Sequence, residues 1–129
     1  MSPDQLQQDV NRVTEKIIHC VYRVSNTLGS GFLEKVYENA LTIDLQESGL
    51  RVVQQHPITV RYNNKPVGDY FADILVEDCV IVETKAVKLL DAVHSAQCMN
   101  YLKATGIKVC LLVNFGKPRA EIKRIVLDF

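Results

Sequence analysis

Apolar residues at the start of the chain recur at spacings of three and four: Val10, Val13, Ile17, Val21, Val24 and Leu28. That period lines one face of an α-helix, and Gly29 supplies a residue able to take the turn that stops it. Gly29-Ser30-Gly31 interrupts the pattern, which resumes with Leu33, Val36, Tyr37, Ala40 and Leu41 and predicts a second helix ending near Gly49. Beyond Gly49 the residues become β-branched runs, Val52 to Gln55, Ile58 to Tyr62, Val67 to Val76 and Val80 to Thr84, with a turn at Asn63-Asn64. They predict an antiparallel meander. Helical spacing returns from Leu90 to Thr105, with Ala92, Ala96, Met99 and Leu102 on one stripe and Gly106 as the stop. Val109-Cys110-Leu111-Leu112-Val113 is apolar without interruption, as in a strand buried on both faces, and Ile122 to Leu127 forms a last strand. The order ααββ(β)αββ predicts an α/β fold with a mixed β-sheet flanked by helices.

Two of these strands carry charge where a core strand should not: Asp73 in the first, Glu83 and Lys85 in the second. Burying a carboxylate or an ammonium costs several kcal/mol unless a partner or a metal compensates. A divalent-cation site would account for all three. Side chains alternate across a strand, so Glu83 and Lys85 share a face, and Asp73 must join that face to hold the same ion. A two-residue turn at Glu77-Asp78 would set Asp73 opposite Val82 and turn it away. A three-residue loop, Glu77-Asp78-Cys79, or a bulge sets it opposite Glu83, and one of these is expected. The two carboxylates with a backbone carbonyl, that of Thr84, would form a hard oxygen site suited to Mg²⁺ or Mn²⁺. Lys85 beside it would orient water and offset charge on a pentavalent phosphorus. On spacing alone, a strand-end aspartate with an exposed Glu/Lys pair fits as well.

Composition narrows the setting. With 129 residues the chain is expected to be a single domain over 1–129. No apolar run approaches the roughly 20 residues that span a bilayer, and the start of the chain does not resemble a signal peptide, so a cytoplasmic protein without membrane partners is expected. Cys20, Cys79, Cys98 and Cys110 are widely spaced and form no CxxC pair, so neither zinc nor disulfides are expected. Formal net charge is zero. From Lys103 onward, however, six basic residues face only Glu121 and Asp128, so this segment is +4 and residues 1–102 are −4. Lys117, Arg119, Lys123 and Arg124 are candidate phosphate contacts, or else a solvated basic surface.

Asp73, Glu83 and Lys85 on a hairpin resemble the core of the PD-(D/E)XK nucleases, and most of the chain resembles their GxxExxY branch. The name-giving motif stands as Gly31-Phe32-Leu33-Glu34-Lys35-Val36-Tyr37. It is followed by Ala72-Asp73-Ile74-Leu75-Val76, Val82-Glu83-Thr84-Lys85-Ala86, His94-Ser95-Ala96-Gln97, Asn100-Tyr101-Leu102-Lys103 and Asn114-Phe115-Gly116. The resemblance spans Ile17 to Leu127. Ser30 stands where the branch tends to have proline and Thr84 where leucine is usual; neither supplies a side-chain ligand. The resemblance implies a restriction-endonuclease-like core and hydrolysis of phosphodiester bonds in DNA, in repair, recombination or defence. It does not bring a defined activity for this branch.

Glu34 opens the second helix, where the dipole favours a negative charge, but it also shares a stripe with Gly31, Tyr37 and Leu41. In related nucleases a helix-borne acid approaches the metal, which makes Glu34 a candidate catalytic residue. His94, Gln97 and Tyr101 form a polar stripe on the third helix. Gln97 and Tyr101 resemble the QxxxY element of RecB-type nucleases and are candidate substrate contacts; alternatively they satisfy buried backbone groups. Tyr37 is expected to pack, with its hydroxyl bonded. Two functions are therefore carried forward: a Mg²⁺- or Mn²⁺-dependent DNA nuclease, with a homodimer able to present two cuts, and an inactive nuclease-fold subunit that binds nucleic acid or protein.

Overall fold

A computed structural model describes residues 2–129. Helix α1 spans Pro3–Leu28, capped by the Ser2 side chain, and α2 spans Glu34–Glu47. Three strands follow, β1 (Val52–Tyr62), β2 (Lys65–Val76) and β3 (Val80–Lys85), then α3 (Ala92–Thr105), β4 (Val109–Asn114) and β5 (Glu121–Val126). The sheet order is β1-β2-β3-β4-β5. β1 to β3 form the expected antiparallel meander, α3 carries the chain over so that β4 lies parallel to β3, and β5 returns antiparallel. Every residue of β4 is buried, as its uninterrupted apolar run predicts.

Helices cover both faces of the sheet. Ile17, Val21 and Val24 of α1 and Tyr37, Leu41 and Leu45 of α2 pack on Ile74, Val76, Val80, Val82, Leu111 and Val113. Cys98, Tyr101 and Leu102 of α3 pack on Leu75, Ile81, Cys110 and Leu112. Arg23 and Asp44, 3.1 Å apart, tie α1 to α2. All four cysteines are free thiols. No helix among the described residues is long and apolar enough to cross a membrane.

Three local expectations need correction. The runs Val52 to Gln55 and Ile58 to Tyr62 are one strand, because β1 passes through an irregularity at Gln55 (φ 54°) and resumes its pairing at His56. Pro57 is tolerated there because β1 is an edge strand with one side unpaired. On α3 the expected stripe holds only at its end: Ala92 and Ala96 are exposed and Met99 half-buried, while Leu102 is buried on a face shared with Cys98 and Tyr101. Small alanines weakly specify a face, whereas a tyrosine and a cysteine fit this half-polar contact. Leu33 and Val36 on α2 are also exposed, while Glu38, between them and Leu41, is buried.

Candidate active site

The β2–β3 connection sets the site. Glu77 and Asp78 both have positive φ (51° and 55°), and the Cys79 amide donates to the Val76 carbonyl at 3.0 Å. Cys79 is the odd third residue, so Val76 pairs with Val80, Leu75 with Ile81 and Ile74 with Val82. The next position sets Asp73 opposite Glu83, as the three-residue loop requires. There the ladder stops and side chains replace it. The Asp73 amide donates to Glu83 Oε2 at 2.7 Å, and Asp73 Oδ2 accepts from the Thr84 amide at 2.9 Å and the Thr84 hydroxyl at 3.1 Å. Both carboxylates therefore occupy one gap between diverging strands.

Electrostatics confirm the convergence. Glu83 is 3% exposed, and desolvation, then the charge of Asp73, push its pKa up to about 8. Desolvation also raises Asp73, partly offset by the Thr84 hydrogen bonds. Lys85, half-buried at the end of β3, lowers the pKa of Glu83, Asp73 and Glu34 alike, so its charge acts on all three carboxyls. Neither Asp73 nor Glu83 is in an ion pair within 4.0 Å among the described residues.

Glu34 stands at the rim. One side of its carboxyl meets solvent, while desolvation on the other raises its pKa, with Lys85 opposing and Asp73 and Glu38 adding to the shift. His94 also faces it, but the His94 ring is engaged as a helix cap, accepting from the Asp91 amide at 3.1 Å. Tyr101 reaches the site from α3: burial and then the charges of Glu83 and Asp73 push its phenol up to about 12. Gln97 lies one turn earlier on the same half-buried face.

The four basic residues do not join this group. Lys117 pairs with Glu121 at 3.2 Å, Arg119 lies 4.9 Å over the Tyr22 ring of α1, and Arg124 donates to Asn11 of α1 at 3.0 Å. Lys123 is exposed on β5, two strands beyond β3.

Two supporting elements flank the site; the first, Glu38, escaped the sequence analysis, whereas Asn114 stood there within the motif Asn114-Phe115-Gly116. Glu38 is buried and accepts from Lys35 at 3.0 Å, Gln54 at 2.8 Å and Gln55 at 3.1 Å. Its charge raises the Asp73 pKa, so it belongs to the site's surroundings. Its one legible signal is the spacing of four from Glu34, which sets both acids on one side of α2. Asn114 is the second. Its Oδ1 accepts from the Val87 and Gly116 amides at 3.0 and 2.9 Å, and its Nδ2 donates to the Val87 carbonyl at 2.9 Å. A Cβ on Gly116 would collide with the Val87 backbone, so only glycine permits this approach. The segment that follows Lys85 is thereby fastened to the end of β4. Phe115, next in line, stacks on Tyr37 with centroids 4.7 Å apart, and the Tyr37 hydroxyl donates to the Gly29 carbonyl at 2.6 Å, as its packing role predicts.

The donor set suits a hard divalent cation. Among the described residues no three His, Cys, Asp or Glu side chains form a ready ligand cluster. Mg²⁺, however, commonly sits on one or two carboxylates and completes its shell with water and phosphate oxygens. A buried Glu83 and a half-buried Asp73, both raised in pKa by desolvation and neither in an ion pair, are what such an ion would relieve. The Thr84 amide points at Asp73, and a strand residue's carbonyl leaves on the same side as its amide, so that carbonyl also faces the gap.

A family model for the PD-(D/E)XK nuclease superfamily matches residues 11–125. No curated protein and no solved structure matches the chain.

Proposed function

Because the chain belongs to the PD-(D/E)XK nuclease superfamily, we propose that it hydrolyses phosphodiester bonds in DNA, using Mg²⁺ or Mn²⁺ held by Asp73, Glu83 and the Thr84 carbonyl. The observation that carries this is the shared gap of Asp73 and Glu83, with Lys85 two residues beyond Glu83 on β3. A bound ion would polarise the phosphodiester and acidify water. Lys85 orients the attacking water and offsets negative charge as water adds to phosphorus and the P–O bond breaks, leaving a phosphate monoester and a hydroxyl. Glu34 positions water from the rim, and Asn114 holds the Lys85 end of β3 in place. Gln97 and Tyr101 contact the substrate strand from α3.

Within the superfamily we assign the chain to the GxxExxY branch, and the geometry gives that motif a physical sense. Gly31 has φ 115°, which favours glycine; Glu34 leans to the site; and Tyr37 ties the turn through its bond to Gly29. Four free thiols agree with the reducing cytoplasm. Lys117, Arg119, Lys123 and Arg124 would touch only nucleic acid that extends across the sheet towards α1.

A second reading is favoured by one observation: without a cation, Glu83 with a pKa of about 8 is mostly neutral at pH 7, and no ready cluster of ligands stands by. In that reading the chain is an inactive subunit that binds nucleic acid or protein. Incubation with single-stranded, duplex and branched DNA and with RNA, with Mg²⁺ or Mn²⁺, separates the two. Cleavage abolished by Asp73→Ala and by Lys85→Ala supports the enzyme. Tight binding without cleavage, unchanged by either substitution, supports the subunit.

A further inference from the structure

A groove of about 790 Å³ runs between the β1–β2 hairpin and α3, with neither Asp73 nor Glu83 in its lining. Its polar lining includes Arg61, Tyr70, Gln97, Asn100, Tyr101 and Lys103, together with Thr59, whose hydroxyl donates to Asp69 at 3.3 Å; two of these are cations, and no carboxylate lines the groove itself. This sign of charge is unusual for a neutral chain. Gly68, which pairs with Val60, brings no side chain beside Tyr70; a Cβ there would lie 3.7 Å from the Tyr70 ring. Immediately after Val60 the register shifts, and such irregularities re-aim side chains, so Arg61 lines the groove together with its neighbour Val60.

The aromatic pair gives the groove a direction. Tyr101 is buried at the inner end, where the charges of Glu83 and Asp73 reach its phenol. Tyr70 lies 5.9 Å from it, centroid to centroid, and remains 50% exposed. The solvent-facing half of the Tyr70 ring offers a surface on which a nucleobase, flat and of similar size, can stack.

Building on the nuclease reading above, we propose that this groove binds a single strand of nucleic acid, with a base stacked on Tyr70, phosphates on Arg61 and Lys103, and the strand leading to Asp73 and Glu83. A duplex keeps its base faces within its own stack and offers Tyr70 nothing to cover. Gln97 and Asn100, on one side of α3, bond base edges or sugar oxygens. The neutral chain agrees with this choice: stacking supplies affinity where bulk charge does not.

The test is fluorescence anisotropy of the full chain in EDTA with labelled oligo(dT), oligo(rU) and a hairpin duplex. Single strands are expected to bind more tightly than the duplex, and the preference between the two strands identifies the sugar. Tyr70→Ala weakens single-strand binding by about 5- to 100-fold, the loss of one stacked base, while Tyr70→Trp retains it. Arg61→Ala lowers the log–log salt slope by about 0.7, one phosphate contact. Circular dichroism verifies that these surface variants fold. Unchanged binding in Tyr70→Ala and Arg61→Ala, equal affinity for duplex, or no binding at all overturns the groove. Tyr70-dependent binding without any cleavage in Mg²⁺ or Mn²⁺ would sustain the groove and overturn the nuclease. Cleavage that needs Lys85 but is indifferent to Tyr70 would do the reverse.

Discussion

The Asp73 amide donates to the Glu83 carboxyl at 2.7 Å at the point where the β2–β3 ladder ends. Asp73 in turn accepts from the backbone and hydroxyl of Thr84. Each strand thus satisfies the other's amide with an acid. There side chain–backbone bonds join the strands and hold two carboxyls in a fixed, partly buried gap. That exchange has measurable consequences.

Stability should fall as pH rises. Glu83 has a folded pKa of about 8 against an ordinary 4.5, so between these values the folded chain holds a proton that the unfolded chain releases. The benefit is complete below pH 4.5 and lost as pH passes 8; Asp73, also raised, adds to it in the same direction. At 1.36 kcal/mol per unit the loss is on the order of several kcal/mol. Urea unfolding at pH 5 and pH 8.5 measures it. Glu83→Gln, which keeps an acceptor for the Asp73 amide, should flatten the dependence; a variant that loses stability as steeply as the wild type would refute the assignment.

Glu38 should matter for folding before it matters for chemistry. Glu38→Ala removes the acceptor shared by Lys35, Gln54 and Gln55, leaving the Gln54 amide only its bond to Asn39. A loss of about 1–3 kcal/mol is expected, and Glu38→Gln should lose less. Denaturant midpoints of the two variants decide this. Equal stability of Glu38→Ala and wild type would mean that the cluster contributes nothing.

What was legible in the sequence follows from how local the signal is. The three-residue loop could be deduced because the face of Asp73 depends only on counting residues to Glu83. Glu38 and its glutamines could not, because they meet only after α2 packs beside β1. The buried face of α3 was read correctly at Leu102 but not at Ala92 and Ala96, whose small side chains carry little preference, while Cys98 and Tyr101 pack inward. Lys117 and Arg124 were grouped by their nearness in sequence; β5 then proved to be the far edge of the sheet, where Arg124 meets α1 instead.

Asn114 should act on catalysis at a distance. Asn114→Ala removes three hydrogen bonds to Val87 and Gly116 while leaving the sheet intact. Hydrogen exchange should accelerate over residues 86–91, and kcat should drop about ten-fold or more with little change in KM, because Lys85 loses its fixed position. Unaltered exchange in that segment would show that the clamp is idle.

Mn²⁺ titration followed by the electron paramagnetic resonance of the free ion tests the shared gap most directly. The wild type is expected to bind one ion per chain, more tightly as pH approaches about 8 because Glu83 must release its proton. Asp73→Asn and Glu83→Gln, each preserving the local hydrogen bonds, should each abolish that binding. Binding that survives both substitutions, or that is absent in the wild type at millimolar Mn²⁺, would contradict a cation site between β2 and β3.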